Sequence, residues 1–160
     1  MVFSGSQVGE LVELLETRGV LVHHACQYQD FVSYLKLGGI PSRDLLQSAG
    51  LDTTPFTTDQ IDRENGVWDK AFVNLEDYGR TFARGHAAVP NPYGPLLLRL
   101  PPSALLEADD VAICLRSAGA RGFDRERESL KTVADANRLF WKPLSEGYAL
   151  EWLKFKDGLR

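Results

Sequence analysis

The chain is poor in the residues that staple or metallate small proteins. It has 2 cysteines, 3 histidines and 1 methionine in 160 residues. Cys26 and Cys114 are too few for a cysteine-based structural zinc site or a disulfide scaffold, and such sparse usage suits a reducing compartment. No run of 18 apolar residues occurs, so nothing is expected to span a membrane. The opening MVFSGSQVGE has neither a basic region nor an apolar stretch, and no secretory signal is read from it. A cytoplasmic location is the expectation. Positive charge is not in excess either: 18 Lys and Arg against 22 Asp and Glu give a net charge of −4. A general nucleic-acid coat needs clustered cations and is excluded; a local patch is not. Residues 116–131 hold Arg116, Arg121, Arg125, Arg127 and Lys131, interleaved with Asp124, Glu126 and Glu128. That stretch reads as a solvated charged face or a target-binding surface.

What is present is an ordinary globular composition, 44% hydrophobic and 25% charged, so the chain can build a core without staples. A single domain over residues 1–160 is expected, or a domain cut from a longer chain. Residues 6–18 read as a helix with Ser6 as its cap, Val8, Leu11, Val12, Leu14 and Leu15 as its apolar stripe, and Gly19 as its stop. GVLVHHAC reads as a buried strand. DFVSYLKL reads as a helix with Phe31, Tyr34 and Leu35 on one face, ended by Gly38 and Gly39; a short extended segment then leads to Arg43. Residues 44–66, rich in Thr, Pro and Gly, are expected to be irregular, as a lid or binding loop or else disordered. Residues 67–75 are expected to contain a strand ending near Asn74 that runs into a helix over 76–83, and the turn-rich HAAVPNPYG follows. Further strands are expected at 96–100, 111–115 and 149–155, with a helical turn at 102–106 and mostly helix over 126–140. Several connections are too short for helical crossovers. The fold class is therefore α+β, with mixed, largely antiparallel sheets and flanking helices.

Phosphate-cradling GxGxxG and GxxxxGK[ST] patterns, HExxH, an EF-hand loop and GxSxG are all absent. His23 and His24 point to opposite sides of a strand, so His24 and Cys26 share a face without a second ligand cluster; no metal site is expected. Three stretches carry chemistry. In VLVHHACQYQDFVSYLKLGGIPSR, a histidine sits in an otherwise apolar strand, where its ring can hold a hydroxyl or an amide, or simply be a satisfied core residue. In AFVNLEDYGRTFARG, Asn74 ends a strand, while Tyr78 and Phe82 share a helix face that can stack on a planar ligand or pack beneath the sheet. In YALEWLKF, Glu151 shares a strand face with Leu153 and Phe155, as a functional carboxylate or an edge-strand guard charge.

Together these stretches resemble the ADP-ribosyltransferase fold, and VLVHHACQYQDFVSYLKLGGIPSR is most similar to DarT-type DNA ADP-ribosyltransferase toxins. The resemblance extends over residues 20–155. It places His24 where the family has its nucleotide-holding histidine, Cys26 where the family has threonine, FVNLEDYG behind the nicotinamide, and Glu151 at the catalytic glutamate. It implies NAD as co-substrate, with His24 and Glu151 as the catalytic pair and His24, Cys26, Arg43, Asn74 and Tyr78 around the dinucleotide. Arg43 is the phosphate candidate because a guanidinium fork matches phosphate oxygens. The implied acceptor is a single-stranded nucleic acid, in a toxin or defence effector that a protein antitoxin or partner would restrain. Two other readings stay open: an NAD-consuming RNA 2′-phosphotransferase, and a non-catalytic nucleotide-binding or sensor module.

Overall fold

The structure is a computed structural model that describes residues 2–76 and 93–140. It contains helices and small sheets, an α+β arrangement, and divides into two compact units. Among the described residues, one unit comprises 2–21 and 100–140 and the other 22–76 and 93–99.

The first unit is organised by a twelve-residue helix. Strand β1 (Phe3–Ser4) leads into helix α1 (Ser6–Thr17). Val8, Leu11, Val12 and Leu15 recur at helical spacing and are buried, and each leucine contributes about 2 kcal/mol by leaving water. Leu14 is only partly covered. The expected cap is corrected here: Ser6 is the first helical residue, and Gly5, at φ +55°, is the N-cap without any side-chain bond. Gly19 ends the helix at φ +69°, where a side chain would be strained. The stripe packs on a 3-10 helix (Pro102–Glu107) and a short helix (Val133–Asn137). Arg18 donates to Asn137 Oδ1 at 3.0 Å and lies over the Phe140 ring. Thr132 and Asp135 cap the second of these helices reciprocally.

The expected strand over residues 111–115 is mostly absent. Strand β4 (Asp110–Val111) pairs antiparallel with β1, with Phe3 opposite Val111, and Cys114 then makes a single bridge to Ser129. Residues 126–140 likewise form two short helices, Arg125–Glu128 and Val133–Asn137, rather than one. Asp124 caps the first of them, and Arg116 binds Glu128 at 2.7 Å and the carbonyls of Arg121 and Gly122, which closes the intervening turn. That ties part of the basic stretch to its own backbone.

The second unit carries the histidine strand. Strand β2 (Val22–Cys26) pairs with β3 (Leu96–Leu100), as their short apolar runs predict. Helix α2 (Tyr28–Leu37) follows and stops at Gly38, at φ +76°. Its buried face differs from the expected one. Asp30, Ser33 and Tyr34 are buried, Phe31 is partly covered, and Leu35 is exposed. Cys26, Tyr34 and Leu46 form the local core, with Phe31, Ile40, Leu51, Leu96 and Leu98 against it.

The chain around Arg43 is also corrected. It is no strand end: Ser42 accepts the Leu45 N–H as an N-cap, and Arg43 opens helix α3 (Arg43–Ser48). The stretch 44–66, expected to be irregular, holds α3 and a further helix, α4 (Asp59–Glu64), leaving residues 49–58 between them. The Thr and Pro content belongs to that shorter connection. The expected strand over 67–75 shrinks to one antiparallel bridge between Asn74 and His23. The helix expected over 76–83, most of HAAVPNPYG and the strand expected over 149–155 lie outside the described residues. Among the described residues, no helix is long and apolar enough to cross a membrane.

Candidate functional site

His24 stands on the middle of β2 and is held at both ring nitrogens. Nδ1 lies 2.7 Å from the Phe72 carbonyl and Nε2 lies 3.2 Å from the Tyr34 hydroxyl. A carbonyl only accepts, so Nδ1 carries the proton. In the neutral ring Nε2 is then the acceptor and Tyr34 the donor. Burial holds the His24 pKa below its ordinary value of 6.5, opposed by the Phe72 hydrogen bond and by the charge of Asp30. The Tyr34 ring meets the imidazole at 5.5 Å between centroids, inclined at 54°. Burial, reinforced by Asp30, raises the Tyr34 pKa, so the phenol keeps the proton it donates.

The Phe72 carbonyl reaches His24 because the backbone of Asn74 bridges His23, N–H to carbonyl in both directions at 2.8 Å. The Asn74 residue itself is exposed. Cys26, two positions along β2, is 2% exposed and belongs to the core cluster. Burial, aided by Asp30, pushes its thiol up to about 11, so it is protonated at neutral pH.

A second network adjoins this one through Asp30. The carboxylate is 2% exposed, in the first turn of α2, where the helix dipole favours negative charge. Its Oδ1 accepts the Thr54 N–H at 2.7 Å and lies 3.7 Å from Arg43 Nη1. Arg43 Nη2 donates to the Thr54 carbonyl and, at 3.3 Å, to Asp59 Oδ1. Asp59 Oδ2 accepts the Phe56 N–H at 3.1 Å, and the guanidinium lies 5.1 Å from the Phe56 ring centre. Ser33 donates to the Asp52 carbonyl at 2.7 Å, and Gln29 to that of Thr53 at 3.4 Å. The 52–56 segment is thereby clipped to α2, α3 and α4 (Asp30, Arg43 and Asp59 are the clips). Asp62, one turn along α4 from Asp59, has its pKa raised by burial and by Asp59, against the pull of Arg43.

Of the residues singled out in the sequence, His24, Cys26 and Arg43 thus fall in one unit, with His24 and Cys26 on the same strand face. Asn74 contributes backbone pairing. Tyr78 and Glu151 lie outside the described residues. Asp30, Tyr34 and Asp59 were not picked out as chemistry. The readable signal was Asp30, Ser33 and Tyr34 at positions i, i+3 and i+4, which puts three polar groups on the inward side of α2. Among the described residues no group of three or more His, Cys, Asp or Glu side chains is placed to hold a metal ion.

Compared with protein-family models, curated proteins and solved structures, the chain finds no match.

Proposed function

We propose that the chain is an NAD-dependent ADP-ribosyltransferase that modifies a nucleic-acid acceptor, in the manner of a toxin or defence effector. The observation that carries this reading is the hydrogen bond from His24 to the Phe72 carbonyl, beside the bridge of His23 to Asn74. It joins two of the stretches on which the resemblance rests, the histidine strand and the FVNLEDYG segment. His24 is neutral, and its Nε2 is an acceptor that suits a ribose hydroxyl. NAD would supply the ADP-ribosyl group, with nicotinamide leaving as positive charge develops on the ribose carbon. Glu151 is assigned the stabilisation of that charge, and His24 the positioning of the dinucleotide.

A second reading keeps nucleotide binding without turnover, as a non-catalytic nucleotide-binding or sensor module, and the state of Arg43 bears on both readings alike. Arg43, the phosphate candidate, is occupied by Asp30, Asp59 and the Thr54 carbonyl. A guanidinium neutralised by two carboxylates has little to offer a pyrophosphate.

Nicotinamide release from NAD, with single-stranded DNA as acceptor, separates the two. The transferase reading expects turnover that falls by about 10²-fold or more in Glu151→Gln, as when one electrostatic stabiliser is removed. NAD affinity, measured calorimetrically, changes far less, because ground-state NAD carries little of that charge. Binding without turnover in the wild type selects the sensor reading. Neither binding nor turnover overturns both.

A further inference from the structure

A histidine that is to hold a ligand needs a free nitrogen, and His24 has none while Tyr34 is in place. Nδ1–H is committed to the Phe72 carbonyl at 2.7 Å, a backbone group fixed by the His23–Asn74 bridge. Nε2 has one lone pair in the ring plane, and the Tyr34 hydroxyl donates to it at 3.2 Å. Tyr34 is 8% exposed and packed with Cys26 and Leu46, which anchors its ring, while the hydrogen bond to His24 is only part-buried.

We infer that the Tyr34 hydroxyl is a placeholder: it occupies, in the free protein, the position at His24 Nε2 that a hydroxyl or N–H donor of the ligand takes over. This rests on the nucleotide-binding reading given above, in which a ribose hydroxyl meets Nε2, and it constrains that reading in two ways. The first is the chemistry of the group recognised. With the proton fixed on Nδ1, Nε2 only accepts, so the ligand atom there must bear a hydrogen. A ribose hydroxyl qualifies and an ionised phosphate oxygen does not. Burial, which keeps the ring neutral, removes the alternative in which a cationic imidazolium attracts the pyrophosphate. The second is a competition. Each ligand that binds must displace one protein hydrogen bond, and the affinity is lowered by that bond. At 3.2 Å the bond is at the long end of the usual range, so a shorter bond from a ligand donor offsets its loss.

Tyr34→Phe removes the oxygen and keeps the ring that fills the core. The placeholder predicts that NAD binds Tyr34→Phe about five-fold tighter than wild type, the size of one neutral hydrogen bond. It predicts no tightening for inorganic pyrophosphate. In a His24→Ala background, Tyr34→Phe leaves NAD affinity unchanged. A second readout needs no activity. Nitrogen-15 spectra of the imidazoles, simple with 3 histidines, should show His24 protonated at Nδ1 in both proteins. The Nε2 resonance should shift toward the unbonded position in Tyr34→Phe and return when NAD is added. Wild-type NAD binding that is equal or weaker in Tyr34→Phe, with Nε2 released as described, overturns the placeholder and makes Tyr34 a positioning residue, while leaving the nucleotide reading intact. An Nε2 resonance that does not move in Tyr34→Phe overturns the contact itself. Absence of NAD binding in both proteins overturns the nucleotide reading and this inference with it.

Discussion

Asp30 and Arg43 approach each other at 3.7 Å, but the carboxylate makes its shorter bond, 2.7 Å, to the backbone N–H of Thr54. Arg43 in turn donates to the carbonyl of the same threonine. Both peptide groups of Thr54 are therefore held by one ion pair, and the connection between α3 and α4 is fixed through its backbone rather than its side chains.

That arrangement predicts an ordering of substitutions at Asp30. Asp30→Ala removes a buried acceptor and leaves Arg43 facing a hole, and should cost about 3 kcal/mol of stability. Asp30→Asn keeps an acceptor for Thr54 and loses only the charge, so its cost should be about half as large. Urea unfolding gives the totals. Hydrogen exchange locates the effect, which should appear first at residues 52–58. Equal losses in the two variants would mean that the charge, not the Thr54 bond, carries the contribution.

His24 predicts a pH dependence. Its folded pKa lies below the unfolded value of 6.5, so the unfolded chain takes up the proton first. The stability that follows from keeping the ring neutral is complete above pH 6.5 and is lost as the pH falls through the window down to the folded pKa. The slope cannot exceed about 1.4 kcal/mol per pH unit for one group. Wild type and His24→Gln, melted at pH 6.5 and 5.5, should therefore differ in slope, with the wild type losing more. Parallel slopes would assign the titration to other groups. Asp62, raised by burial, acts in the opposite sense, its contribution declining as the pH rises from the carboxylate range.

Much of the frame was legible because it rests on local patterns. The stripe of α1, the apolar run of β2 and the αL stops at Gly19 and Gly38 follow from period and glycine chemistry. Around Arg43 the local signals conflict: Pro41 favours a continuing extended segment, whereas Ser42 behind it caps a helix. Spacing shows that Asp30 faces inward on α2 but not what the carboxylate meets there. Thr54 and Asp59, in the same network, lie 24 and 29 residues away, and only the folded α2–α4 arrangement brings them together. The same holds for His24, whose alternation on β2 was clear but whose Tyr34 and Phe72 partners were not.

Among the described residues, Gly94 is the one glycine whose lack of a side chain is required by a neighbour. Its φ is +133°, and a Cβ there would overlap the carbonyl group of Cys26 and the Gln27 nitrogen. Gly94→Ala should therefore cost about 3 kcal/mol, combining the backbone conformation with the overlap. Thermal melting measures it, and a change below about 1 kcal/mol would show that the end of β2 can move aside without loss.

The other side of that contact is Cys26, whose position decides whether it is a ligand-facing group or a core residue. The resemblance puts it in place of a threonine near the nicotinamide, yet it is 2% exposed against Tyr34 and Leu46, with its thiol pushed up to about 11. The thiolate is the reactive form, and at pH 8 only about one Cys26 in a thousand would carry it, even before access is considered. Cys114 is partly exposed. A disulfide reagent such as Ellman's, added to the native protein at pH 8, should therefore label Cys114 and reach Cys26 at least about 100-fold more slowly. Both should react at once in denaturant. Adding NAD should leave the Cys26 rate unchanged if the thiol only packs, because nothing then covers or uncovers it. Fast labelling of Cys26 in the free protein, slowed by NAD, would place the sulfur on an open face and return it to the nucleotide site.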